Sequence, residues 1–247
     1  MRNTHGILHK ALDQAIKLKY ISGNACDNCE IAVTTKKEMQ PIKDGNLRIF
    51  LEKIKGNRCE DMLLVAVFTG MRESEIIGLS WDCIDFERKQ IRIYRQLSKE
   101  RKKDGRYVFT DLKNKKARSF SAANIVFDTL MRVKQEQDAR KADCPDLWDN
   151  PHNLVFTDSR GKHICTNTLY MNFKRIVREI GMPDVRFHDL RHTFATLSIE
   201  AGNDIKTISN SLGHATTAFT MDVYGHVSDK MQQESAQRMQ AYLDSLL

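Results

Sequence analysis

The sequence predicts a mainly α-helical fold with a small antiparallel β-sheet, and three observations point there. Apolar residues recur at i, i+3 and i+4 over much of the chain, the spacing that lines one face of a helix. Alternating strand-like patterning is confined to a short stretch, from Gln90 to Ser121. The composition, 41 % apolar and 29 % charged with 4 Pro and 12 Gly among 247 residues, belongs to a globular chain rather than a disordered or collagen-like one.

Each element has its own signal. Leu8, Ala11, Leu12, Ala15 and Ile16 predict a helix running to about Tyr20, followed by a turn at Ser22-Gly23-Asn24-Ala25. The polar stretch from about Thr34 to Asp44, with Pro41, reads as a linker. Leu47, Phe50, Leu51 and Ile54 make one helical face, and Met62 to Phe68 forms a buried helix that reaches Thr69-Gly70. Strands are expected at Gln90–Leu97, at Arg106–Thr110 after a hairpin turn at Asp104-Gly105, and at Arg118–Ser121. Helices return at about 123–138, 167–180 and 189–201, then at 204–212, opening after Asn203 and closing at Gly213. A last amphipathic helix starts at Asp229, with Met231, Met239, Tyr242, Leu243 and Leu246 as its apolar positions.

Charge is concentrated. The chain carries 39 Lys+Arg against 32 Asp+Glu, a formal +7. From Arg88 to Arg118, 13 basic and 3 acidic residues give +10, so the remainder is close to −3. Such a segment suggests a polyanion, because cations that neutralise phosphates gain affinity by releasing counterions. No apolar run approaches the roughly 18 residues of a membrane span, and the first residues lack the apolar core of a signal peptide. A soluble, intracellular protein is expected. The six cysteines form no framework; His5, His9, Cys26 and Cys29 make a conceivable zinc set, but their order and spacing match no common zinc module. Reduced, incidental cysteines are the plainer reading.

Four segments carry chemistry: Thr69-Gly70-Met71-Arg72-Glu73-Ser74-Glu75, Lys113-Asn114-Lys115-Lys116-Ala117-Arg118, His188-Asp189-Leu190-Arg191-His192, and Leu212-Gly213-His214 with Tyr224 ten residues on. Singly, each has a bland explanation: an ion pair, a solvated loop, a surface pair three apart on a helix, a core aromatic. Together, two Arg, one Lys and two His supply the donors that hold a phosphodiester and stabilise a five-coordinate phosphorus. A tyrosine beside them is a plausible nucleophile, given a base and positive neighbours. No carboxylate cluster suited to two-metal phosphoryl transfer and no phosphate-cradling Gly-rich loop stands out. A reaction on phosphate without metal, nucleotide or other cofactor is expected.

In this order and spacing, the chain from about Pro41 to Val227 resembles the tyrosine recombinase (phage integrase) family: Thr-Gly-Met-Arg-x-x-Glu, a hairpin Lys, His-x-x-Arg, Leu-Gly-His, then Tyr followed by a His. Leu79-Ser80-Trp81-Asp82-Cys83-Ile84-Asp85 and Tyr224-Gly225-His226-Val227-Ser228-Asp229-Lys230 are similar to integrases of conjugative transposons and phages of Gram-positive bacteria. The resemblance implies a catalytic domain over 41–227. Before it, residues 1–40, with Leu8-His9-Lys10-Ala11-Leu12-Asp13-Gln14-Ala15-Ile16 and Gly23-Asn24-Ala25, would be the last part of a helical core-binding domain plus linker. After it, residues 228–247 would be a helix that docks on a neighbouring protomer or packs on its own domain.

The resemblance also implies roles. Arg72 and Arg191 would clamp the non-bridging oxygens of the scissile phosphate, and His214 would add a donor. Tyr224 would attack to form a 3′-phosphotyrosine. Lys113, five residues before Arg118, would protonate the leaving 5′ oxygen, with Lys115 the alternative donor, while Lys115, Lys116 and Arg118 would otherwise contact DNA phosphates. His188 would help take the tyrosine proton, and Glu75 would order the pocket. The implied function is integration and excision of a mobile element. The implied partner is double-stranded DNA at inverted-repeat core sites, bound by a homodimer or tetramer joined through the C-terminal helix, in the cytoplasm at a bacterial nucleoid. Chromosome dimer resolution, a type IB topoisomerase-like activity and a non-catalytic DNA-binding protein are the alternatives.

Overall fold

Arg2–Lys17 form the first helix, α1. Its polar side holds the turn that follows: the Asn24 amide donates to the His9 carbonyl (3.0 Å) and to Asp13 (2.7 Å), and the Cys26 N–H donates to the Asn24 side chain (3.0 Å). His9 bridges Asp13 (3.1 Å) and Asp27 (2.9 Å), and His5 bonds the Cys26 carbonyl at 3.2 Å. The histidines that raised a zinc set therefore fasten this turn. Among the described residues no group of three or more His, Cys, Asp or Glu is placed to hold a metal ion.

The computed structural model describes residues 2–30, 40–42, 44–101, 107–112, 117–213, 237, 239–240 and 243–244. The chain divides into two units, Met1–Glu38 and Met39–Leu247. The second begins with α2 (Asp44–Ile54), α3 (Glu60–Thr69) and the short α4 (Glu73–Ile77). A 3-10 turn at Trp81–Cys83 leads into β1 (Ile84–Asp85), β2 (Gln90–Ile93), β3 (Arg95–Arg101), β4 (Tyr107–Asp111) and β5 (Arg118–Ser121). Then come α5 (Asn124–Asp143), α6 (Thr166–Glu179), α7 (Asp189–Glu200) and α8 (Ile205–Leu212). The mainly helical fold with a small antiparallel strand region is as the sequence predicts.

Packing follows from the patterns. α3 is apolar on nearly every side and is buried accordingly, with Leu63, Val65 and Val67 fully enclosed. Phe50 of α2, Phe173 of α6 and Phe187 before α7 stack edge-to-face, with centroids 6.2 and 5.5 Å apart. Ala195 and Ile199 of α7 meet Ile208 and Leu212 of α8 in a separate small cluster, with Phe194 against it.

Several boundaries differ from expectation, among them α1 ending at Lys17 rather than about Tyr20 and β3 running to Arg101 rather than Leu97. The expected single sheet is two: β1, β2 and β5 make one antiparallel sheet with Ile91 opposite Phe120, while β3 and β4 pair separately with Leu97 opposite Phe109. The chain changes partner at Tyr94, whose hydroxyl donates to Asp82 while the Arg95 guanidinium bonds Asp82 (3.0 Å) and covers the Phe109 ring at 3.9 Å. α5 runs five residues past the expected end, since its last turns are polar and held by Arg132–Glu136 and Arg140–Glu136 pairs that leave no apolar trace. The N-cap of α8 is Asp204, not Asn203; its carboxylate accepts from the Thr207 N–H at 2.9 Å.

The expected turn at Asp104-Gly105 lies outside the described residues, as does most of the stretch from Asp229 on where a last helix is expected. Gln237, Met239, Gln240, Leu243 and Asp244 are helical, with Gln240 bonded to Asp244 at 2.7 Å. Among the described residues no helix is long and apolar enough to cross a membrane.

Candidate active site

Gly70 ends α3 in the left-handed conformation (φ +62°), its N–H bonded to the Ala66 carbonyl. A Cβ there would lie 2.6 Å from Leu212 and 2.7 Å from Phe194, so glycine also permits the close approach of α7 and α8. Two residues on, Arg72 is extended (φ −72°, ψ 154°) and caps α4. Its N–H donates to Glu75 Oε2 at 2.9 Å and its guanidinium to Glu75 Oε1 at 2.8 Å. The Thr-Gly-Met-Arg-x-x-Glu pattern is thus a helix stop joined to a helix start, with the arginine at the joint.

Glu75 is fully buried and carries a second arginine. Arg118, at the start of β5, donates to Oε1 (2.8 Å) and Oε2 (2.7 Å) in a bidentate fork. Burial pushes the Glu75 carboxyl up, but Arg118 and Arg72 overcome this and hold it at about 2. The Arg118 side chain is 8 % exposed, and all three of its guanidinium nitrogens donate inward, to Glu75 and to the Ser211 carbonyl.

The end of α8 gathers the arginines. Arg118 Nε donates to the Ser211 carbonyl at 2.8 Å, Arg191 Nη2 to the Leu212 carbonyl, and Arg72 Nη2 approaches the Gly213 carbonyl at 3.5 Å. Arg191 also donates to the Gly70 carbonyl at 2.9 Å and is buried. The last carbonyls of a helix lack partners within the helix and carry its negative dipole end, so guanidinium groups are favoured there. Three cations and one carboxylate leave this cluster at +2.

α7 sets the remaining described residue. Asp189 accepts from the Arg186 N–H (2.8 Å) and guanidinium (2.8 Å), which fixes the first turn next to His188. Lys174 of α6 steadies the approach by donating to the Val185 carbonyl at 3.0 Å. Desolvation and the Arg191 charge push the His188 pKa down, with Arg72 adding to the effect, so His188 is neutral near pH 7. Its ring meets that of His192 at 5.2 Å, nearly perpendicular. His192 is buried, and burial followed by His188 lowers its pKa to about 4.

The structure therefore brings together Arg72, Glu75, Arg118 and Arg191, with His188 within reach of the Arg72 and Arg191 charges. Lys113, Lys115, Lys116, His214 and Tyr224 lie outside the described residues. Sequence reasoning missed the inward role of Arg118, the support from Lys174 and the His188–His192 pair. Only the last left a trace, as two histidines four apart.

The sequence matches the phage integrase family over residues 46–231. It is 28 % identical over 250 residues to a XerC-like tyrosine recombinase of Caldanaerobacter subterraneus subsp. tengcongensis, covering 95 % of this chain and 64 % of that protein. It is 27 % identical over 252 residues to the ICEBs1 integrase of Bacillus subtilis, covering 97 % and 64 %. The chain thus spans about 64 % of the length of these relatives. Among solved structures, the Tn1549 transposon integrase in complex with transposon right end DNA superposes with a TM-score of 0.73 at 21 % identity, over 96 % of this chain and 78 % of that one. A lambda integrase dimer bound to a core site gives 0.59 at 16 % identity, over 87 % and 71 %. These structural likenesses establish a shared fold. With the match spanning most of the second unit, the chain belongs to the phage integrase family, the tyrosine recombinases.

Proposed function

We propose that the protein is a DNA strand transferase for site-specific recombination, and that it integrates and excises a mobile element through a metal-free phosphotyrosine intermediate. The observation that carries this reading is the convergence of Arg72, Arg118 and Arg191 on the end of α8, immediately before His214 in the chain. Positive charge fixed in advance stabilises the charge that develops on phosphorus without reorganisation during the reaction.

In this reading Arg72 and Arg191 hold the two non-bridging oxygens and His214 adds a third donor. The Tyr224 oxygen bonds to phosphorus as the bond to the 5′ oxygen breaks. The phenol proton passes toward His188, whose depressed pKa leaves it free to accept one, and Lys113 gives a proton to the departing oxygen. The bond energy stays in the phosphotyrosine, so religation to another strand needs no nucleotide. Lys115 and Lys116 hold flanking phosphates. The partner is double-stranded DNA at inverted-repeat core sites. Residues 1–40 complete a core-binding domain, residues 228–247 join protomers into a dimer or tetramer, and the protein works in the cytoplasm at the nucleoid. The names of the relatives, an ICEBs1 integrase and a transposon integrase, support the mobile-element role.

A nicked suicide duplex carrying the element end tests the reading. A covalent protein–DNA adduct is expected with the wild type and not with Tyr224→Phe, and Arg72→Ala should slow its formation by about 100-fold or more. A chelator should leave the rate unchanged. Site-specific binding without any adduct would overturn the enzymatic reading, and strong loss with chelator would overturn the metal-free one. Supercoil relaxation without strand exchange would favour the topoisomerase-like alternative.

A further inference from the structure

We propose that Arg118 is the counter-cation of Glu75, a positioning residue that leaves the Arg72 charge available to phosphate. The inference rests on the recombinase reading above and assigns Arg118 a task different from holding DNA.

Glu75 accepts four hydrogen bonds: one from the Arg72 N–H, one from the Arg72 side chain and two from Arg118. That saturates both oxygens of an ionised carboxylate. The two arginines are not equivalent. The Arg118 side chain is 8 % exposed, while that of Arg72 is 26 % exposed. Glu75 thus binds the buried guanidinium through two nitrogens and the accessible guanidinium through one.

Charge makes the difference matter. Arg72 with Glu75 alone is a neutral pair, and a buried carboxylate beside a guanidinium cancels most of the field an incoming phosphate would meet. With Arg118 included, the group carries +1, and the excess lies on its exposed member. Glu75 can then order the Arg72 backbone and guanidinium without cancelling their charge.

The fit around Arg118 is specific. Its stem crosses Gly213, where a Cβ would lie 2.8 Å from Arg118 Cδ and 3.3 Å from both Nε and Nη1. Gly213 is left-handed (φ +65°), so the glycine of Leu-Gly-His both ends α8 and makes room for this side chain. Arg118 Nε then bonds the Ser211 carbonyl. One side chain thus ties β5, which follows Lys113 in the chain, to Glu75 and to the end of α8.

The test compares Arg118→Gln, Glu75→Gln and the double variant in single-turnover cleavage of the suicide duplex, with DNA affinity measured across a salt series. Arg118→Gln is expected to cleave about 100-fold more slowly, with affinity and salt slope near the wild-type values. Adding Glu75→Gln should restore at least about 10-fold of that loss, because it frees the Arg72 charge. Arg118→Lys, which keeps the charge, should cleave faster than Arg118→Gln. A double variant no faster than Arg118→Gln overturns the proposal. So does a salt slope reduced by about one in Arg118→Gln, the mark of a lost phosphate contact. Thermal melting without DNA reports the pairing independently of cleavage: the double variant should melt above Arg118→Gln, and the reverse order overturns the proposal. A wild type that forms no adduct defeats the recombinase reading instead, while the melting order still decides the pairing.

Discussion

Glu75 shows how one buried carboxylate makes both stability and site geometry depend on pH. Its folded pKa of about 2 lies below the ordinary 4.5, so its paired, ionised state stabilises the fold above pH 4.5 and loses that contribution as the pH falls toward 2. The shift corresponds to roughly 3 kcal/mol at neutral pH. Glu75→Gln should therefore unfold at lower urea than the wild type at pH 7, with the gap narrowing below pH 4.5. His192 acts at milder acidity. Held neutral with a pKa near 4 against an ordinary 6.5, it takes up a proton only on unfolding, so stability falls as the pH drops from 6.5 toward 4. A His192→Gln variant should show a flatter dependence of unfolding free energy on pH in that window. Spacing made Arg72 and Arg191 legible as candidates. It could not show that Arg118 faces inward, because a basic residue in a basic stretch looks the same whether it meets phosphate or a buried carboxylate 43 positions away in the chain.

Elements were most legible where burial left a period. The α3 run and the α6 face at Leu169, Phe173, Ile176 and Val177 were readable because each apolar position meets the core. The end of α5 and the partner change at Tyr94 were not, since surface ion pairs and a side chain reaching back to Asp82 impose no periodicity. Element ends also carry the site: α3 stops at Gly70, α4 starts after Arg72, and α8 ends at Ser211, Leu212 and Gly213 beneath the arginines. Gly70→Ala forces a side chain into a left-handed backbone against Leu212 and Phe194, and should cost about 1–3 kcal/mol in chemical denaturation. Gly213→Ala meets Arg118 instead, so its cleavage rate should fall by more than its loss of stability alone explains.

Over the whole molecule, the formal +7 separates into a basic strand region and a slightly acidic remainder. The segment spans β2 to the start of β5, and its final arginine bonds the buried Glu75 carboxylate. Lys115 and Lys116 remain the proposed phosphate contacts, and replacing both with Ala should make the log–log salt dependence of DNA binding shallower by about two. The central claim is that Tyr224 becomes joined to DNA. Mass spectrometry of the peptides from a denatured suicide-substrate reaction tests it directly. The account predicts an oligonucleotide linked through its 3′-phosphate to the peptide containing Tyr224; DNA attached at another residue, or cleaved DNA attached to no residue, would contradict it.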